Sequence, residues 1–167
     1  IWDALQPLIA SGGRDDITRE TALGVFGRLE SAQQAATPDM LYAALLAQVH
    51  RAFAAHYGLA TRPELDAAFG ASVPHWPAFA DTADALRRLK KRYRLVVLSN
   101  VDRAGFAASS RKLGVAFDAV YTAEDIGSYK PAPRNFEYLL AHAKTDLGVT
   151  KDGILHTAQS LFHDHVQ

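Results

Sequence analysis

The sequence predicts an α/β protein: a doubly wound parallel sheet with a separate helical domain ahead of it. Three observations carry this. The first half of the chain places apolar residues at helical spacing and shows no two-residue alternation. From Leu95 onward, short apolar runs alternate with helical stretches of about ten residues, the grammar of right-handed βαβ units. Between the halves stands the breaker cluster Pro74-His75-Trp76-Pro77, which places the boundary between a helical domain, 1–76, and an α/β domain, 77–167.

In the helical half, 1–10 reads as a helix ending near Gly12-Gly13, and Leu23, Phe26 and Leu29 mark a second. Thr37-Pro38 reads as an N-cap followed by proline at the first helical position. Leu41, Leu45, Val49, Phe53 and Tyr57 then recur at spacings of four, one buried face of a helix that Gly58 stops. A short fourth helix runs from Arg62 to Phe69 and closes at Gly70.

In the second half, Asp81 caps a helix whose predicted buried stripe is Ala85, Leu89 and Tyr93. Its last turns are crowded with Arg87, Arg88, Lys90, Lys91 and Arg92, a placement that the helix dipole favours. Leu95 to Leu98 is the first expected strand, followed by a helix bearing Phe106 and Leu113 up to Gly114. Asp118 to Thr122 is the second strand, and Pro133 opens a helix with Phe136, Leu139, Leu140 and Ala143. Gly153 to His156 is the third expected strand.

Composition narrows the classes of function. The 167 residues are enough for one sizeable core plus a small accessory domain. Eighteen basic and eighteen acidic residues cancel, so no global field points to nucleic acid or to a membrane surface. No apolar run reaches the roughly 18 residues of a membrane span. The sequence contains no cysteine, which removes disulfides and thiolate chemistry and fits a reducing, cytoplasmic setting. The opening residues, Ile1 to Pro7, lack the basic and apolar regions of a signal peptide and an initiator methionine, and His163 to Gln167 stops without a helix-ending signal, so a piece of a longer protein is expected.

Chemistry concentrates at the carboxyl edge of the expected sheet, where ligands bind in such folds. Ser99-Asn100 follows the first strand directly. Hydroxyl, amide and helix-start N–H groups there can cradle an anion, or Asn100 or Asp102 can simply cap the next helix. Lys130 sits between Tyr129 and Pro131, on a turn stiffened by Pro131 and Pro133. It can serve a nucleophilic carboxylate facing an anionic substrate, or it can be a surface turn lysine. Asp164 lies beyond the third strand at the same edge. His163 and His165, two residues apart, would diverge on a helix and do not match zinc-ligand spacing.

Leu98-Ser99-Asn100 after a strand, Gly127-Ser128-Tyr129-Lys130-Pro131-Ala132-Pro133, and the Ser160 to Asp164 segment resemble the second, third and fourth motifs of the haloacid dehalogenase superfamily, in order and separation. Lys130-Pro131-Ala132-Pro133-Arg134 resembles most the type II 2-haloacid dehalogenase branch. The resemblance implies a Rossmann-like core, with residues 1–76 as the helical cap inserted after the first motif. It also implies a central strand, bearing the nucleophilic aspartate, that would precede Ile1; the chain as written lacks that group.

The implied reaction is hydrolysis of the carbon–halogen bond of a small 2-haloalkanoate through a covalent aspartyl ester. Ser99 and Asn100 would hold the anionic substrate, Lys130 would balance the nucleophile, and Asp164 would position Lys130 or water. An arginine from the cap, Arg28 or Arg19, would cradle the halide. A magnesium-dependent phosphomonoester phosphatase, with Asp164 near the metal, is the alternative on the same scaffold. A non-catalytic binding protein is a third reading. Gln159, where phosphatases place an acid, favours the metal-free dehalogenase, for which no cofactor is expected. Phe136 and Leu161 stand where dehalogenases usually carry Tyr and Asn. The expected partner is a small anionic molecule, with no nucleic acid or membrane, and a homodimer is left open.

Overall fold

A computed structural model describes residues 1–165 of the chain, which divide into two compact units, one of Ile1–Pro77 and one that begins at Ala78. Val166 and Gln167, and with them the expectation of an uncapped C-terminus, lie outside the described residues.

The first unit is built from α1 (Trp2–Ser11), α2 (Arg19–Ala36), α3 (Tyr42–Tyr57) and α4 (Pro63–Gly70). Thr18 caps α2 by accepting from the Thr21 N–H at 3.3 Å. Leu45, Val49 and Phe53, four residues apart, are all buried with Leu5, Leu8 and Phe26 in one apolar core. Gly58 ends α3 in the left-handed conformation, φ 66°. Gly70 closes α4 directly against the Ala43 carbonyl of α3, leaving no room for a Cβ.

The start of α3 differs from expectation. Thr37 caps the end of α2 instead: its hydroxyl donates to the Gln33 carbonyl at 3.0 Å. With Thr37 committed there, α3 begins at Tyr42, and Leu41 becomes an exposed N-cap and not part of the buried face.

One buried polar network joins α3 to α4. The Asp66 carboxylate meets His50 Nδ1 at 2.7 Å and accepts from Thr61 Oγ1 at 2.8 Å and from Arg51 Nε at 3.0 Å. Asp66 and His50 are almost fully enclosed, and the His50 ring stacks on Phe69 at 4.8 Å. Burial pushes the Asp66 carboxyl upward, but the bonds from His50, Thr61 and Arg51 outweigh it and hold the group below its ordinary range.

In the second unit, α5 (Thr82–Lys90) precedes β1 (Val96–Ser99), α6 (Arg103–Leu113) and β2 (Ala119–Thr122). The strands pair in parallel, Val96 opposite Ala119 and Ser99 opposite Thr122. Asp118 clasps the entry to this ladder: its carboxylate accepts from the Leu95 N–H at 2.7 Å and from Lys90 Nζ at 3.0 Å. Next come α7 (Ala123–Ile126), α8 (Pro133–Leu147) and α9 (Leu161–Asp164). Tyr121, Ile126 and Leu139 form the small core, with Val96, Leu98 and Tyr138 against it.

Two expectations fail here, for one reason. The third strand is not formed: Lys151–Gly153 is a single 3₁₀ turn, and 154–158 has no regular structure. The α5 stripe is not buried either, since Leu89 and Tyr93 are both largely exposed. An extended segment becomes a strand only when a neighbour accepts its hydrogen bonds. Among the described residues β1 pairs with β2 alone. Instead, Leu89, Tyr93, Val96, Leu98, Ile154 and Leu155 all line an apolar groove of about 480 Å³.

Two predictions concern titration. Asp66 has a depressed folded-state pKa, so its contribution to stability is complete above the ordinary value of 3.8 and is lost as pH falls below it. Asp66→Ala is therefore expected to cost about 1–3 kcal/mol at pH 7 in urea unfolding, with the gap to wild type closing in acid. Tyr121, buried and donating to Asp146 at 3.0 Å, has its phenol pushed up to about 12. Its raised pKa adds stability fully present below the ordinary 10.0 and lost as pH rises towards 12. In an ultraviolet titration, the difference between wild type and Tyr121→Phe should show that phenol still protonated at about pH 11.

Candidate active site

The site is organised by the loop between β2 and α8. Thr122 and Asp125 form a reciprocal capping box that fixes α7 to the end of β2. Gly127 then turns the chain through the left-handed region, φ 65°, a conformation that would strain a residue with a side chain. Pro133 starts α8 at its first turn, where its missing N–H costs nothing. Lys130 stands midway, with a cis Lys130–Pro131 peptide.

Lys130 is not a free surface lysine. Its ammonium donates to the Leu98 carbonyl at 3.0 Å and to Asp164 Oδ1 at 2.5 Å. Both side chains are largely enclosed, 11% and 7% exposed. A cation is thus fixed at the carboxyl end of β1 by one dipole and one charge. Asp164 reaches it from α9, whose Ser160 hydroxyl accepts from the His163 N–H at 3.1 Å.

Asn100 is engaged by the same loop. Its Oδ1 accepts from the Lys130 N–H at 2.7 Å, and its Nδ2 donates to the Lys130 carbonyl at 2.9 Å. Ser99 is the last residue of β1 and lies beside Leu98. The start of α6 is filled by the chain's own acids: Asp102 accepts from the Gly105 N–H at 2.6 Å, and Glu124 from the Arg103 N–H at 2.8 Å. Asp102 is thus the side-chain cap of α6. Arg103 in turn pairs with Asp125 at 2.5 Å and Glu124 at 3.2 Å.

The structure therefore gathers Ser99, Asn100, Lys130 and Asp164 within the second unit. Arg28 and Arg19 are exposed residues of α2 in the first unit. The histidines go separate ways: His163 Nδ1 meets Ser160 Oγ at 3.0 Å, and His165 Nε2 meets the Ala158 carbonyl at 3.1 Å. Burial pushes the His163 imidazole below its ordinary range despite the opposing pull of Asp164. Among the described residues no three His, Cys, Asp or Glu side chains gather to hold a metal. Asp164, the acid named for magnesium, is already paired with Lys130, and Gln159 adds no charge, so these residues alone do not fit that ion.

One residue at the site is marked by no motif. Asn135 lies on the buried face of α8 with Leu139 and Ala143, at spacings of four, and is 1% exposed. An amide on a stripe otherwise apolar is the signal that could have singled it out.

The model of the haloacid dehalogenase-like hydrolase family matches residues 5–151. An (S)-2-haloacid dehalogenase of Pseudomonas fluorescens is 33% identical over 103 residues, 60% of this chain and 44% of that protein. An (S)-2-haloacid dehalogenase of Pseudomonas putida is 32% identical over the same length and shares. These matches span less than half of the curated relatives' length. A crystal structure described as a dehalogenase superimposes with a TM-score of 0.75 at 19% identity, covering 97% of this chain and 72% of that one, which establishes likeness of fold. A family match over most of the chain, on a site with its lysine and aspartate joined at the sheet edge, shows that the chain belongs to the haloacid dehalogenase-like hydrolases.

Proposed function

We propose that this chain forms the cap and most of the core of a 2-haloacid dehalogenase, acting on a small 2-haloalkanoate through a covalent aspartyl ester. The observation that carries the reading is the Lys130 ammonium, held at the carboxyl end of β1 by Leu98 O and Asp164. A carboxylate nucleophile approaching an anionic substrate meets like-charge repulsion. Two unit charges about 4 Å apart interact by about 4 kcal/mol at an effective dielectric of 20. A fixed cation between them offsets that term. The names of the Pseudomonas relatives support the same class of substrate.

The nucleophile is an aspartate on a strand ahead of Ile1. The side of β1 that pairs with no strand among the described residues, and the apolar groove beside it, suit such a strand, whose carboxyl end would bring the aspartate to Lys130. Its carboxylate oxygen attacks C2 of the substrate, and the halide leaves with the bonding pair. Water, oriented by Asp164 or Lys130, then adds to the ester carbonyl. This releases a 2-hydroxyalkanoate and a proton and restores the carboxylate. Ser99 and main-chain groups beside Asn100 hold the substrate carboxylate, and a cap arginine, Arg28 or Arg19, receives the halide.

Halide release from 2-chloropropionate by the complete gene product tests this. Lys130→Ala should lower it about 10²–10³-fold, with chelation of magnesium leaving the wild-type rate unchanged. Magnesium-dependent release of phosphate from a phosphomonoester, with no halide released, would replace the proposal by the phosphatase reading. Equal halide release by Lys130→Ala would overturn the role given to that lysine.

A further inference from the structure

We propose that Asn135 is a positioning residue for Lys130, acting together with Asn100 as a two-sided clamp on the loop that carries it. This rests on the reading of Lys130 as the charge-balancing group of the site.

The geometry is specific to that loop. Asn135 Nδ2 donates to Ser128 Oγ at 3.1 Å and to the Ala132 carbonyl at 3.0 Å. Ser128 lies two residues before Lys130 and Ala132 two residues after, so one amide group ties both feet of the loop together. Asn100 grips the middle, with its bonds of 2.7 and 2.9 Å to the Lys130 N–H and carbonyl. The two asparagines come from different stretches, Asn135 from the first turn of α8 and Asn100 from the residue just after β1. Between them the peptide frame of Lys130 is held on both sides, while the side chain is left to Leu98 and Asp164.

A purely structural reading exists. Asn135 could do no more than secure the start of α8, where its own N–H also donates to Ala132 O at 3.0 Å. That role predicts a loss of stability and nothing else. Against it stands the burial: an amide with 1% exposure occupies a position whose neighbours on the stripe, Leu139 and Ala143, are apolar. An apolar residue would serve packing there equally well, and both amide hydrogens are directed to the loop instead. Positioning a reacting charge is the kind of task for which such pre-organisation matters, since small displacements of catalytic groups have large effects on rate.

Asn135→Leu removes both bonds while keeping the buried face filled. In the complete gene product it should lower kcat for halide release about 10–100-fold with KM little changed. An independent readout is the side-chain ammonium resonance of Lys130 in ¹H–¹⁵N spectra, assigned by its loss in Lys130→Arg. Wild type should show it as a slowly exchanging signal, and Asn135→Leu should broaden or shift it while the remaining spectrum stays that of a folded protein. If the wild type releases no halide, the dehalogenase reading fails and the resonance alone still decides the clamp. A folded Asn135→Leu with an unchanged Lys130 resonance overturns the proposal, as does a rise in KM alone or absence of the resonance from wild type. Should Asn135→Leu not fold, Ser128→Ala, which removes the acceptor at one foot, must give a smaller change of the same kind. No change in that variant overturns the proposal.

Discussion

A single ammonium group links the parts of the second unit. Lys130 Nζ touches the carbonyl at the end of β1 and the carboxylate of α9, while its backbone is held from Asn100. Each partner arrives from a different stretch of chain, and none is adjacent to Lys130 in sequence. Remove the charge and Asp164 becomes an enclosed carboxylate with no counter-ion, a state that proteins avoid by taking up a proton or by rearranging. The ion pair is therefore structural and chemical at once. Its enclosure is what lets a surface-type residue act with a large electrostatic effect.

Much of this arrangement can be read from the chain, and the limits follow from the kind of information involved. Local rules identify α3 from the spacing of Leu45, Val49 and Phe53, and the ends of helices from Gly58 and Gly114, both left-handed in the structure. They also mark Lys130 as exceptional, because Pro131 and Pro133 just after it restrict the backbone of its loop. Non-local partners escape them. Thr37 is equally suited to end one helix or begin another, and only the Gln33 carbonyl decides between the two. The segment 153–156 has strand composition but no neighbour to pair with among the described residues. Asn100 reads as a helix cap or an anion ligand, whereas its amide is taken up by a residue thirty positions away.

The first unit shows the opposite economy of design. One buried network there gathers Asp66 with His50, Arg51 and Thr61, and in it the carboxylate receives every bond. Such a group is stable because it is fully satisfied, and it specifies one arrangement of α3 against α4 that interchangeable apolar contacts would leave looser. The two units thus solve similar problems with a buried carboxylate, one paired by a histidine and an arginine, the other by a lysine.

The meeting of Gly70 with the Ala43 carbonyl carries a consequence for variation in this chain. Where two side chains touch, an enlarged residue can turn to another rotamer, and tolerance falls off gradually with size. Where backbone meets backbone, there is nothing to turn. Substitution at position 70 should therefore behave as a threshold, with alanine already across it and larger residues adding little further harm. A saturation scan would display that position as a flat row, unlike the graded rows expected of buried Val49 or Phe53 in the same unit.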